Sequence, residues 1–382
     1  MSLDTKEFDV LILGAGPAGT ACALALKDAG LSVALIDKAD FPRDKICGDA
    51  IPAPAIRALH TLDPNYVTEL RKLSRKSKIS HSRVVAPQGI EATFDWKLEA
   101  WNIPRLDFDH YLLDLVKQHT NTQILCATPI DDVNITEDGV CLISKERVFK
   151  GKIVIACDGA HSILAKKLAG FSMDRNHFCG AVRIYFSGID GSDPSRNEFF
   201  FSRKMMPGYF WLFPVADNLY NVGFGMLSKT ISKRKINLEK ALYTVIDEFP
   251  ELKRRFAHAK AISKPQGMGL PIGTRRLKLS GDRFLLCGDA ASLIDPVSGA
   301  GIDTAMLSGM MAADHIRKNW QDQPFTASVN RAYDRSIYKK FGKTFRKNTR
   351  LLRILSRFPR ILPLGLKIIS LGIKRKRNLQ ES

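Results

Sequence analysis

The 382-residue chain contains no run of about 18 apolar residues free of charge, which argues against a conventional membrane-spanning helix. It contains no Cys-x-x-Cys pair. Its seven cysteines (Cys22, Cys47, Cys126, Cys141, Cys157, Cys179, Cys287) are scattered and odd in number. That argues against a disulfide framework and a zinc site, and fits reduced thiols in a cytoplasmic protein. His60, His110 and His315 do not fall at metal-ligand spacing, so no metal is expected. No internal repeat occurs, and no low-complexity stretch precedes the C-terminal tail. With Asp4 and Glu7, the N-terminus lacks the basic-then-apolar pattern of a secretory signal. Acidic residues are scarce at the other end. Residues 331–382 carry +14 of the net +19, leaving the first 330 nearly balanced. This is a basic tail on a neutral body, and a nucleic-acid partner is not expected.

The body has an ordinary globular composition, 45% apolar and 25% charged, and a length suited to about two domains. Residues 8–13 (Phe-Asp-Val-Leu-Ile-Leu) read as a buried strand. Gly14-Ala15-Gly16-Pro17-Ala18-Gly19 follows, then a helix over 20–29 stopped by Gly30, then a strand over 33–36 ending at Asp37. Gly14 permits a tight turn, Gly16 lets backbone approach a pyrophosphate, and Gly19 lets the helix pack close to the strand. Free N–H groups at the helix start favour negative charge. Asp37 lies 18 residues after Gly19, near the spacing of an acid that hydrogen-bonds a ribose hydroxyl. The motif binds a dinucleotide but does not separate FAD from NAD.

Other segments make that separation. Residues 282–291 read as a strand ending in Gly288-Asp289, followed by Pro296, Gly299, Gly301 and a helix from Ile302 to about Asn319. The pattern resembles the second FAD-binding motif of glutathione-reductase-like flavoproteins, which include aromatic hydroxylases and geranylgeranyl reductases. The resemblance implies that Asp289 binds the ribityl chain and that Gly299 and Gly301 bring backbone N–H groups near the flavin. Residues 153–162, with Asp158 and Gly159, resemble the Asp-Gly motif of the same superfamily. Residues 103–112 resemble its arginine segment, with Arg105 near the flavin. The implied cofactor is FAD, held by Gly14, Gly16, Ala18, Gly19, Asp37, Lys38, Arg43, Cys47, Gly48, Arg105, Asp158, Gly159, Gly288, Asp289, Pro296, Gly299, Gly301 and Ile302. Asp158, His161 and Ser162 belong to this motif and are not a hydrolase triad.

Phe41-Pro42-Arg43-Asp44-Lys45-Ile46-Cys47-Gly48-Asp49 resembles the Pro-Arg-x-Lys-x-Cys-Gly segment of geranylgeranyl reductases and halogenase-like relatives. In that family the cysteine lies by flavin and substrate. A thiol there can protonate a carbanion-like carbon or only shape the pocket, and an ordinary buried cysteine is the plain alternative. Arg43 and Lys45 serve cofactor phosphates or are simply solvated. Tyr209-Phe210-Trp211-Leu212-Phe213-Pro214 resembles the Tyr-x-Trp-x-Phe-Pro core of the prenyl-reductase substrate motif. Alternation puts Tyr209, Trp211 and Phe213 on one strand face, as an aromatic wall for an isoprenoid or as ordinary sheet core. The family proline sits three positions before the tyrosine; here Pro207 sits two before it and Met206 takes that place. The Trp-x-Trp-x-Ile-Pro signature of flavin halogenases is absent.

The fold so implied is α/β: a Rossmann-like FAD-binding domain (1–77, 102–170, 265–330), an inserted antiparallel β-sheet substrate domain (78–101, 171–264) and a helical, basic amphipathic segment (331–382). A helix is expected over 108–119, capped by Asp107 or Asp109. Short strands are expected over 122–149, turning at Glu137-Asp138-Gly139. Residues 262–270 are expected to return toward the cofactor domain. The leading function is reduction of C=C bonds in an isoprenoid or related lipid. Reduced flavin supplies hydride to one alkene carbon, and Cys47 or a water protonates the other. NAD(P)H or another carrier supplies the electrons. The alternatives are an FAD monooxygenase acting on an aromatic or polyene, and a flavin-binding protein without turnover. In the tail, apolar residues alternate with Arg353, Arg357, Arg360 and Lys367, broken by Pro359 and Pro363. Two readings stand for residues 340–377: peripheral contact at the inner face of a membrane, or a pair of helices docked on the body. Lys374-Arg375-Lys376-Arg377 is expected to be a disordered end.

Overall fold

The computed structural model describes residues 4–216, 218–321, 324–359 and 361–367. Lys374–Arg377, and part of the 340–377 stretch, lie outside the described residues. Two sheets organise the chain. The first is mostly parallel and runs Ser280–Gly281, Phe284–Leu286, Arg147–Ala156, Asp4–Leu13, Val33–Ile36, Gln123–Leu125. Its central strands are apolar on both faces, as strands covered on both sides must be. Asp132–Ile135 and Val140–Ile143 form a hairpin beside Arg147–Ala156, turning at the expected Glu137-Asp138-Gly139.

The second sheet is largely antiparallel. Its order is Lys260–Ala261, Phe178–Ser187, Leu219–Leu227, Tyr209–Ala216, Arg196–Phe200, Ser77–Val85, Glu91–Asn102, Ala50–Ile51. Gln266–Pro271 pairs with Phe178–Ser187 along the same edge as Lys260–Ala261. Strand alternation sorts its side chains. Phe210, Leu212, Val222 and Phe224 pack under the helix Leu238–Glu248. Trp211 and Phe213 form a separate cluster with Ala181, joined by Tyr209 and Phe199, on the opposite face. The architecture is thus α/β, Rossmann-like, with an antiparallel second sheet and C-terminal helices.

Three local expectations are corrected. The helix Arg105–His119 starts earlier than expected, with Pro104 at its N-cap position. Neither Asp107 nor Asp109 caps it, because Asp109 is inside the helix and bound to Arg105. The first helix is also shorter, Pro17–Ala25, and relaxes into turns before Gly30. In the tail, the break at Pro359 is present, but the piece before it is a long 31-residue helix, Ala327–Arg357, that begins before residue 331. Thr326 caps it, and it ends where Pro359 forbids continuation. Residues 361–367 form a further helical turn, with Leu366 buried against Ala86 and Ala92.

The helices Pro17–Ala25 and Ile302–Lys318 follow the two glycine motifs and cross at backbone contact. A Cβ on Gly309 would lie 2.0 Å from the Ala18 carbonyl oxygen. Gly309→Ala therefore forces these helices apart. We expect a loss of about 3 kcal/mol, read as a lower urea midpoint.

Candidate active site

The site begins where parallel strands end. Asp4–Leu13 and Arg147–Ala156 run side by side, and their carboxyl ends present Gly14 and Asp158 at one edge. Gly14 has φ 105°, and a Cβ there would sit 2.2 Å from the Cys157 carbonyl oxygen, so only glycine serves. A Cβ on Gly19 would lie 1.9 Å from the Gly14 carbonyl oxygen, which seats the helix on the turn. Gly16 caps the helix start without a side chain; a Cβ there would meet only the Arg43 guanidinium, 3.7 Å away. Free helix N–H groups and a facing guanidinium suit a pyrophosphate. Asp37 folds back over the turn and accepts from the Ala15 N–H at 2.7 Å and the Ala39 N–H at 2.9 Å.

These residues open into a groove of about 550 Å³, the size range of cofactor sites. From the expected cofactor set, Gly14, Gly16, Ala18, Asp37, Lys38, Arg43, Asp158, Gly159, Gly288 and Asp289 line it. Gln266 and Met268, on the returning strand, close one side. Asp158 accepts from the Ile163 N–H through one oxygen at 2.8 Å. Its other oxygen is buried and has no hydrogen-bond partner among the described residues. Burial pushes its carboxyl above the ordinary value, against opposing hydrogen bonds from Ser162 and backbone. An unmatched acceptor in a groove suits a ligand hydroxyl. The donor set, the glycine cradle and this acceptor together fit FAD.

The remaining expected residues lie beside the groove. Pro296, Gly299 and Gly301 form a loop leading into Ile302, the first residue of its helix. Asp295 holds that loop by accepting from the N–H groups of Val297 and Ser298 at 2.9 Å each. A Cβ on Gly301 would lie 3.6 Å from Asp289 Oδ1, so loop and acid are neighbours. Tyr209 donates to the Ser298 carbonyl at 2.8 Å, tying the aromatic strand to the same loop. Cys47 and Gly48 lie at the wall's other end. A Cβ on Gly48 would be 3.2 Å from the Phe213 ring and 3.7 Å from Trp211 Nε1. The turn thus lies against Trp211 and Phe213.

Arg105 is not on the groove. It is 2% exposed and grips Asp109 with two bonds of 2.6 Å. Its side chain also meets that of Cys47. Arg43 joins Asp109 at 3.0 Å, and Lys45 reaches Asp289 at 3.1 Å. Both basic residues of the Pro-Arg-x-Lys-x-Cys-Gly segment are therefore ion-paired. Asp109 was missed as a site residue, although an Arg–Asp pair four apart on a helix is a visible signal. Asn221, Tyr185 and Arg183, also near Cys47, carry no such signal.

Burial pushes the Asp109 carboxyl up, but Arg105, Arg43 and Lys45 outweigh this and hold it below the ordinary value. Its contribution to stability is therefore full above the unfolded carboxylate range and is lost only as pH falls through the depressed value. Asp109→Asn leaves Arg105 buried without a counter-charge. We expect a loss of about 3–5 kcal/mol in urea unfolding at neutral pH.

Residues 7–321 match the model of the FAD binding domain family. A menaquinone reductase of Mycobacterium tuberculosis is 30% identical over 380 residues, spanning 95% of this chain and 87% of that protein. A digeranylgeranylglycerophospholipid reductase of Methanosphaera stadtmanae is 28% identical, over 88% of this chain and 80% of that protein. Among solved structures, a geranylgeranyl bacteriochlorophyll reductase-like protein of Thermoplasma acidophilum superposes with a TM-score of 0.83. It is 22% identical, and the match covers 96% of this chain and 91% of that one. With a glycine-turn groove fitted to FAD and a match across nearly its whole length, the chain belongs to the FAD binding domain family and is an FAD-dependent oxidoreductase of the geranylgeranyl- and menaquinone-reductase type.

Proposed function

We propose that the protein reduces C=C bonds in the isoprenoid part of a lipid. One observation carries this reading: the Cys47–Gly48 turn rests on Trp211 and Phe213, and Tyr209 of the same strand is tied to the Gly299 loop. The wall therefore runs from the Cys47–Gly48 segment to the loop beside the cofactor groove. Such an apolar face suits an unsaturated hydrocarbon chain and offers little to a polar substrate. The names of the two relatives, a menaquinone reductase and a digeranylgeranyl lipid reductase, point the same way.

FAD, when bound, supplies hydride chemistry. The chain's residues do the rest. Gly14, Gly16, Arg43 and the first helix hold the pyrophosphate end, while Asp37, Asp158 and Asp289 take hydroxyl groups. Tyr209, Trp211 and Phe213 hold the alkene flat and exclude water. Cys47, or a water beside it, gives the proton to the second alkene carbon. A two-electron donor, NAD(P)H or another carrier, completes the balance.

The tail supplies a lipid-facing surface in the same reading. Leu351, Ile354, Phe358, Ile361 and Leu364 are all exposed. They recur every three or four residues among Arg350, Arg353 and Arg357, and no acidic residue occurs between Asp334 and Glu381. Among the described residues, no helix is long and apolar enough to cross a membrane. An apolar stripe edged with arginines lies on an anionic bilayer with its cationic stems turned to the headgroups.

Two experiments test these statements. Anaerobically reduced protein is mixed with geranylgeranyl lipids; we expect flavin reoxidation and two added hydrogens in the lipid, with Cys47→Ala about 100-fold slower. Reduced flavin that persists until oxygen arrives, followed by a hydroxylated product, would replace the reading with a monooxygenase. Separately, sedimentation with phosphatidylglycerol vesicles should be lost in Ile354→Glu/Phe358→Glu, and should weaken with salt for the unchanged protein.

A further inference from the structure

Behind the Cys47 turn lies a buried polar cluster that the proposed chemistry does not use. Asp49 is fully buried and has φ 62°, a backbone conformation that aspartate adopts only when its surroundings hold it there. Its Oδ2 accepts from the Tyr185 hydroxyl at 2.5 Å and from Asn221 Nδ2 at 2.7 Å. The Arg105 backbone N–H points at Oδ1 from 3.3 Å. Asn221 is also fully buried. Its Nδ2 has two hydrogens; one goes to Asp49 and the other to the Cys47 carbonyl at 2.7 Å. Its Oδ1 accepts from Trp211 Nε1 at 2.8 Å.

Every polar atom of the Asn221 side chain is therefore committed. A flipped amide would set its oxygen against the Asp49 carboxylate and the Cys47 carbonyl, and its NH₂ against the indole N–H. The Cys47 carbonyl and the indole N–H already select this orientation, and the carboxylate holds it with a further charged acceptor. An ionised Asp49 matches the three donors around it; a protonated one places a hydrogen among them. We propose that ionised Asp49 is a positioning residue that sets the width of the substrate slot. It locks Asn221, and Asn221 holds the Cys47 turn and the Trp211 ring in fixed relation. This rests on the reading of Cys47 and the aromatic wall as the substrate slot.

The charged and titratable groups around Asp49 come from several elements. Tyr185 and Arg183 face it from Phe178–Ser187, and Arg105 from its helix. Arg183 stacks on the Tyr185 ring at 4.1 Å and bonds Asp44 at 2.6 Å; Arg105 is matched by Asp109. Burial pushes the Asp49 carboxyl up to about 6, against the opposing effects of Tyr185, Asn221, Arg183 and Arg105.

The test reads the pin directly. Tryptophan emission of the FAD-loaded protein is followed from acid to neutral pH in the unchanged protein, in Trp211→Phe and in Asp49→Asn. We expect a component with its midpoint at about 6 that is absent in both variants. Tyr185→Phe should move that midpoint upward, because the charged carboxylate loses a hydrogen bond. With a prenyl lipid as substrate, Asp49→Asn should lower kcat/KM about 100-fold while FAD content stays unchanged. An unaltered Trp211 titration in Asp49→Asn overturns the proposal, as does kcat/KM equal to that of the unchanged protein. If Asp49→Asn does not fold, an unmoved midpoint in Tyr185→Phe overturns it alone. Should the unchanged protein reduce no prenyl lipid, the proposed function fails, yet the titration still decides whether Asp49 pins Trp211.

Discussion

The site depends on how one irregular segment is held. Residues 43–49 pass from the cofactor groove to the aromatic wall with neither helix nor strand. No backbone ladder fixes them, so side chains must. Arg43 is held by Asp109, Lys45 by Asp289, Asp44 by Arg183 and the Cys47 carbonyl by Asn221. Each pin comes from a different element, and together they join the parallel sheet, its helices and the antiparallel sheet. The ion pairs do not have to be strongly stabilising to matter. A buried pair such as Arg105–Asp109 gains little over a well-packed apolar pair, but losing one partner strands a charge in the interior. Their contribution is geometric: only one path of the segment satisfies all of them.

That path brings one short stretch against both the glycine turn and the aromatic wall. Arg43 faces the glycine turn, and Gly48 rests on Phe213. An extended chain advances about 3.4 Å per residue, so five residues carry it from the phosphate end of the groove to the wall. Gly48 lets the chain lie against the rings, since a Cβ there already reaches 3.2 Å from Phe213. The same closeness makes this packing sensitive to its supports. A shift of the Cys47–Gly48 segment by a fraction of an ångström changes its packing on Trp211 and Phe213.

Much of this was legible in the sequence, and the illegible parts share a cause. The glycine turn, the acid after the second strand and the face shared by Tyr209, Trp211 and Phe213 are local patterns with a period of their own. The pins are not. Asn221 and Asp49 lie 172 residues apart, Arg183 and Asp44 139, Arg43 and Asp109 66. Nothing near Asn221 marks it as different from any strand asparagine; its role exists only once the segment before Ala50–Ile51 is laid against the antiparallel sheet. The misplaced cap on the helix Arg105–His119 has the same origin. Asp109 was free to cap by local rules, but a buried arginine four residues earlier claims it.

The long C-terminal helix shows how a local pattern changes meaning along its length. Its early turns bury Asn330, Tyr333, Ile337, Phe341 and Phe345 along one stripe. Near the end of that stripe, Asn348 donates to Asp295 at 2.6 Å, the acid that holds the Ser298–Gly299 loop. Beyond it the body no longer covers the helix, and Leu351 and Ile354 face outward. At 1.5 Å per residue the helix spans about 46 Å as one stiff rod. Its exposed end therefore has a fixed relation to the loop that Tyr209 also grips. The exposed apolar end of this helix and the loop at the edge of the aromatic wall are, in this fold, two ends of one rigid connection.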